Sequence, residues 1–75
     1  MQTLEALVCS ILEIDPNTTG EVGRATHGEW TSLKQIQIIV TLEEAYDVLF
    51  SGEEMAAGTS VSTLRQLLAG KGVAV

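Results

Sequence analysis

The sequence between residues 32 and 46 is SLKQIQIIVTLEEAY, and this stretch decides the fold of the 75-residue chain. Its apolar side chains recur at the spacing of an α-helix and do not alternate as they would in a strand. We predict a helix that begins at Ser32 and ends at Tyr46 or Asp47. One arc of this helix is expected to be buried, and it consists of Ile38, Ile39, Leu42 and Tyr46.

The same helix has a second apolar face. It is formed by Leu33, Ile36 and Val40, at positions i, i+3 and i+7. Two interpretations are open at this point. Either the helices that follow along the chain cover this face, or it is surplus apolar surface that a partner molecule contacts.

A second helical stripe lies nearer the N-terminus. Its apolar members are Leu4, Leu7, Val8, Ile11 and Leu12. We predict a helix from Thr3 to Ile14, with Thr3 as its N-cap. Asp15–Pro16 is expected to end it, because proline pushes the preceding residue out of the helical conformation.

Residues 15–31 between these helices have the composition of a loop. Glycine and threonine are frequent there, Asn17 is a further turn-forming residue, and no helical or strand period is visible. A connection of this length is uncommon in a small domain and is often functional. Val22 and Trp30 are its main apolar side chains, and we expect them to anchor it to the core.

A short third helix is predicted after residue 50. Ser51 and Glu54 have the spacing of a capping box, Met55 and Ala56 are expected to pack it down, and Gly58 ends it.

The fourth helix is predicted from Thr59 or Ser60 to Ala69, and Gly70 is expected to stop it. The whole chain, residues 1–75, is then a single all-α domain. Its predicted architecture is a four-helix bundle of three main helices and one short helix, with a long first loop.

The charge balance restricts the classes of partner. Ten acidic residues face four basic ones, which gives a net charge of −6. Binding to nucleic-acid phosphates or to an anionic membrane needs clustered Lys and Arg, so we expect neither partner. Proteins with basic patches are the expected partners of such a surface.

Side-chain catalysis and metal binding have few candidates. Cys9 is the only cysteine, which excludes an internal disulfide and fits a reducing cytoplasm, and no metal or nucleotide motif is present. Cys9 and His27 lack an orienting third group, so we expect a helical cysteine that behaves as a small hydrophobic residue and a solvated loop histidine. Because a secretory signal and a long apolar run are both missing, we predict a cytoplasmic protein. The lack of paired catalytic groups predicts that it is not an enzyme, and we expect it to be monomeric.

Ser32 has two possible roles, one in capping a helix and one as a site of covalent attachment. Its hydroxyl stands where the long loop becomes a helix, and Gln35 is placed to complete a capping box with it. Thr31 is a second candidate for the N-cap. A helix N-terminus also attracts anions, so a phosphodiester on a serine at this point would be stabilised. The residues themselves leave both roles open.

The chain resembles acyl carrier proteins over nearly its whole length. The sequence Glu29-Trp30-Thr31-Ser32-Leu33 is similar to the family's attachment motif, and Leu42-Glu43-Glu44 with Tyr46 is similar to its second helix. The resemblance implies that a phosphopantetheinyl transferase attaches 4′-phosphopantetheine from coenzyme A to Ser32. The arm then holds an acyl or aminoacyl thioester, which the protein presents to acyl-loading, elongating or transferring enzymes.

The resemblance also implies a partner surface on the second helix. Its apolar centre is Leu33, Ile36 and Val40, and its acidic residues are Glu43, Glu44 and Asp47.

Three positions depart from the family pattern. Thr31 stands where the family usually has aspartate, and Lys34 and Gln37 stand where many fatty-acid carriers have acids. We therefore expect a specialised carrier of a dedicated pathway, such as polyketide or modified-lipid synthesis. The alternative is a helical protein-interaction module that has the carrier fold and no prosthetic arm.

Overall fold

The computed structural model describes residues 3–15, 17–18 and 20–74, which form four α-helices. They are α1 (Leu4–Leu12), α2 (Ser32–Tyr46), α3 (Gly52–Ala57) and α4 (Val61–Gly70). Within those described ranges there is no β-strand, and an isolated antiparallel bridge joins the long loop to the start of α4. The predicted all-α class is confirmed. No helix in the described part of the chain is long and apolar enough to cross a bilayer.

Helix α1 begins as predicted and ends two residues early. The Oγ1 atom of Thr3 accepts a hydrogen bond from the N–H of Ala6 at 3.1 Å, which caps the helix. Glu13 then adopts the left-handed conformation with φ 60°, and the N–H of Ile14 donates to the carbonyl of Cys9 at 3.0 Å. The predicted end at Ile14 is therefore corrected to Leu12, and Pro16 lies outside the described residues.

The core lies between α1, α2 and α4, and α1 packs against both other helices. Full burial of one aliphatic side chain of the Val or Leu class contributes about 1.5–3 kcal/mol, so these contacts supply most of the stability. The buried arc of α2 agrees with the prediction except that Tyr46 is half-buried at its edge. The buried apolar residues are Leu4, Val8, Cys9, Leu12, Val22, Trp30, Ile38, Ile39, Leu42, Phe50, Val61, Leu64 and Leu68.

The long loop is fastened to the start of α4. Val22 and Trp30 are both buried, as predicted. The carbonyl of Val22 accepts from the N–H of Val61 at 2.9 Å, and the N–H of Arg24 donates to the carbonyl of Thr59 at 2.8 Å. Gly23 lies so close to α4 that a Cβ atom there would stand 3.0 Å from the Cβ of Ser60. The loop therefore has a defined path.

Helix α3 is attached mainly by polar contacts. None of its six residues is buried, and Met55, which was expected to pack it down, is 40% exposed. The predicted capping box between Ser51 and Glu54 is present. Lys71 donates to the Glu54 carboxylate at 2.9 Å, which ties α3 to the C-terminal segment.

Helix α4 begins at Val61, later than the predicted start at Thr59 or Ser60, because Ser60 is its N-cap, and it continues one residue further than predicted. Gly70 is its last residue, so the expected stop at Gly70 is wrong. Gly72, with φ 83°, supplies the left-handed turn, and its N–H donates to the carbonyl of Ala69 at 3.0 Å. Val73 then packs against the edge of the core.

Candidate functional site

Ser32 is the first residue of α2, and its side chain is exposed. Thr31 is the N-cap, because its Oγ1 atom accepts a hydrogen bond from the N–H of Lys34 at 3.3 Å. The expected capping box between Ser32 and Gln35 is therefore not formed. The Ser32 hydroxyl has no capping role and stands at the electropositive end of the helix.

Arg24 reaches across the loop to Ser32. Its Nη2 atom donates to the Ser32 Oγ at 3.0 Å. The bridge between Gly23 and Ser60 fixes the backbone from which this side chain extends. The sequence pattern did not reveal this contact, since Arg24 lies eight residues before Ser32 in a segment without periodicity.

The surroundings of Ser32 favour negative charge. The first turn of α2 contains no acidic residue, and its capping side chain is the neutral Thr31. The Arg24 guanidinium therefore contacts a hydroxyl at the end of the helix where backbone N–H groups have no partner within the helix. An anion bonded to the Ser32 oxygen would find hydrogen-bond donors and no adjacent first-turn carboxylate.

The Gln35 side chain connects the end of the loop, near Ser32, to α3. Its Oε1 atom accepts from the indole N–H of Trp30, and its Nε2 atom donates to the carbonyls of Met55 and Gly58 at 2.8 Å each. One amide thus joins the end of the loop, the first turn of α2 and the C-terminal end of α3. Its role differs from the capping role that the spacing indicated.

The second apolar face of α2 is exposed. Leu33 is 63% exposed, Ile36 is 61% exposed and Val40 is 46% exposed. The interpretation in which later helices cover this face is therefore wrong. Ile36 and Val40 also line an open groove of about 390 Å³ between α2 and Ile11 of α1.

A second open groove, of about 680 Å³, lies at the C-terminal end of α2. Val40, Val48 and Leu49 are its apolar lining residues, and Leu49 is 81% exposed. Its acidic lining residues are Glu43, Glu44 and Asp47.

The three acidic residues of this groove differ in their contacts. Glu43 is half-buried, and its Oε2 atom accepts a hydrogen bond from the N–H of Phe50 at 2.9 Å. Asp47 adopts the left-handed conformation at the end of α2, with φ 54°. Glu44 and Asp47 are exposed, whereas Glu43 also fixes the connection to α3.

The other reactive side chains do not assemble into a site. Cys9 is buried in α1, and burial, together with the charges of Asp15 and Glu5, raises the pKa of its thiol. The His27 ring lies 2.9 Å from the hydroxyl of Thr26 and is half-buried rather than fully solvated. Within the described ranges, no group of three or more His, Cys, Asp or Glu side chains is placed to hold a metal ion.

No protein-family model matches the chain, and no curated protein or solved structure matches it either.

Proposed function

We propose that this protein is an acyl-carrier-type protein, in which Ser32 carries 4′-phosphopantetheine and the arm presents a thioester-bound acyl or aminoacyl group to partner enzymes. The observation that carries the proposal is the Ser32 hydroxyl. It is exposed at a helix N-terminus, has no capping role and contacts a guanidinium group. A hydroxyl that only capped the helix would instead bond to the backbone of the first turn.

The order of the elements supports the same proposal. A long first connection leads directly to Ser32, and the short α3 precedes a final helix, as in the acyl-carrier-like four-helix bundle that the sequence resembles. Because the loop is fastened to α4, it leaves the start of α2 accessible. A separate transferase can therefore reach the serine.

The residues around Ser32 fit a phosphodiester. The group needs an exposed ester oxygen and hydrogen-bond donors for its charge. Ser32, Arg24 and the N-terminal turn of α2 supply these features. In the transfer, the Ser32 oxygen bonds to the phosphorus nearest the pantetheine of coenzyme A. The pyrophosphate P–O bond at that phosphorus breaks, 3′,5′-ADP leaves with the bonding electrons, and the transferase removes the serine proton.

The apolar face and the acidic groove complete the proposed role. Leu33, Ile36 and Val40 extend from Ser32 along α2, so a partner enzyme that contacts them also approaches the attached arm. Glu44 and Asp47 offer exposed carboxylates to a basic rim on that enzyme. The neutral Thr31 and the cationic Lys34 make this surface less acidic at the N-terminal end of α2. This difference favours partner enzymes that are specific to this carrier.

The test is modification in vitro. The protein is incubated with coenzyme A and a broad-specificity phosphopantetheinyl transferase, and its intact mass is measured. We expect the mass of one phosphopantetheinyl group to be added to the wild type and nothing to be added to Ser32→Ala. Ser62→Ala is the matched control, because Ser62 is also an exposed serine in the first turn of a helix, and it should be modified normally. An unmodified wild type would refute the proposal.

A second candidate function is a protein-interaction module without an arm. The exposure of Leu33, Ile36 and Val40 favours it, because this face is available whether or not Ser32 is modified. The two functions differ in their response to substitution in the native host. A module loses activity with Ile36→Ser and keeps it with Ser32→Ala, whereas a carrier loses activity with Ser32→Ala.

A further inference from the structure

We propose that Arg24 is a positioning residue that holds the phosphodiester at Ser32 and thereby orients the arm. This inference rests on the proposed function. It goes beyond that function by assigning a second residue, from outside the attachment motif, to the phosphate group.

The Arg24 guanidinium lies next to the oxygen atom to which the phosphate would be attached. The Nη2 atom of Arg24 lies 3.0 Å from the Ser32 Oγ, which is the atom that would bond to phosphorus. In a phosphodiester at Ser32, one negative charge would be shared by the two non-bridging oxygens on the phosphorus bonded to Oγ. A guanidinium has five N–H donors in a planar fork, so it can follow the negative charge from the hydroxyl oxygen to those oxygens.

The charge of Arg24 is available for this role. Arg65 pairs with Glu5 and Lys71 pairs with Glu54. Among the described residues, Arg24 forms no such pair with a carboxylate, and its side-chain hydrogen bond goes to the Ser32 hydroxyl. A guanidinium forms a stronger hydrogen bond with an anion than with the neutral hydroxyl that it contacts here.

The backbone of Arg24 is fixed before any phosphate arrives. Its N–H donates to the carbonyl of Thr59 at 2.8 Å, and the preceding Gly23 forms the bridge to Ser60. The N–H of His27 also donates to the carbonyl of Gly23 at 2.8 Å. These contacts belong to the backbone, so replacing the exposed Arg24 side chain leaves them in place, and the variants are expected to fold.

The experiment combines substitution with modification. Unmodified and modified forms of the wild type, Arg24→Gln and Arg24→Lys are prepared, and the free energy of unfolding of each is measured in urea. We expect modification to stabilise the wild type and this gain to be lost in Arg24→Gln, with partial retention in Arg24→Lys. A residue that merely fastens the loop to α2 would change both forms equally, so a gain that persists in Arg24→Gln overturns the proposal.

A phosphorus NMR spectrum of the modified protein gives a second measurement. The resonance is expected to shift in Arg24→Gln and to stay unchanged in Arg65→Gln, which removes a cation of α4 that pairs with Glu5. The rate of modification should also fall about tenfold in Arg24→Gln, the effect of one charge-assisted hydrogen bond. An unchanged resonance refutes the role of Arg24 alone, whereas a wild type that cannot be modified refutes the proposed function as well.

Discussion

At the scale of single residues, helix capping and the exposed hydroxyl are divided between two adjacent residues, Thr31 and Ser32. Thr31 caps α2 through the N–H of Lys34, and the Ser32 hydroxyl faces solvent and Arg24. The division explains how a neutral residue can stand before the serine without loss of the helix start. Threonine is a somewhat weaker N-cap than aspartate, and it adds no negative charge beside the proposed phosphodiester.

This division predicts different costs for two alanine substitutions. Thr31→Ala should lower the free energy of unfolding by about 1 kcal/mol, because an N–H of the first turn loses its acceptor. Ser32→Ala should change it by less than about 0.5 kcal/mol, as expected for an exposed side chain without a structural role. Urea denaturation followed by circular dichroism measures both. Equal costs for the two variants would mean that Ser32 takes part in capping.

Cys9 gives a prediction about pH and reactivity. Burial raises the pKa of its thiol, so the folded protein retains the thiol proton at a pH where the unfolded chain has lost it. The stabilisation is complete below the ordinary pKa of a thiol, near 9.0, and is lost as the pH rises above it. Native protein should react slowly with iodoacetamide and quickly in urea. In Cys9→Ala, the fall in stability above that pH should be smaller, and an unchanged fall would contradict this interpretation.

At the scale of the elements, α3 depends on the polar groups around it. It has a capping box at its start, the Gln35 amide on the carbonyls of Met55 and Gly58, and an ion pair from Lys71. Its side chains add nothing to the buried core. We therefore expect α3 to be the helix that opens at the lowest free energy.

Gln35→Glu separates the two functions of this amide. At neutral pH the carboxylate still accepts from Trp30, but it cannot donate to the carbonyls of Met55 and Gly58. We expect a loss of about 1–3 kcal/mol in stability, the cost of leaving such groups without partners. Hydrogen exchange should show faster exchange in α3 and little change in α1. Uniform acceleration across all helices would show that Gln35 supports the whole core.

The elements also show what the sequence could predict. The starts of α1 and α3 followed from their capping residues, and the start of α2 followed from its apolar spacing, which are local signals. The capping box expected for α2 was wrong, because Thr31 caps this helix. The end of α1 did not follow, because it depends on Glu13 adopting a left-handed conformation that glycine usually supplies. The contacts of Arg24 and Gln35 were also missed. They join residues across a loop or across more than 20 positions, where no periodicity relates the partners.

At the scale of the whole molecule, the net charge of −6 on a small surface creates repulsion between acidic residues. Among the described residues, the ion pairs Glu5–Arg65 and Glu54–Lys71 offset only a small part of it. Backbone hydrogen bonds at Ser51 and the Lys71 ammonium lower the pKa of Glu54. The stabilisation that this carboxylate gives to the folded state is therefore present above its ordinary pKa of 4.5 and is lost as the pH falls through its lowered pKa.

The repulsion predicts a salt dependence. Raising sodium chloride from about 20 mM to about 500 mM at neutral pH should raise the melting temperature by a few degrees, because the Debye length becomes shorter than the spacing of most surface charges. Thermal melts by circular dichroism measure this change. The increase should shrink near pH 4.4, the isoelectric point, where the acidic residues are partly neutralised. A melting temperature that falls with salt at neutral pH would show that the two ion pairs outweigh the repulsion.

The burial of Trp30 has a practical consequence. It is the only tryptophan in the chain, it lies two residues before Ser32, and its indole N–H is bonded to Gln35. Intrinsic fluorescence from this protein therefore originates mainly at the junction of the loop, α2 and α3. Emission wavelength and quenching report on that junction without any added dye, so they can follow the proposed attachment of the arm and docking of an enzyme in real time on the unlabelled molecule.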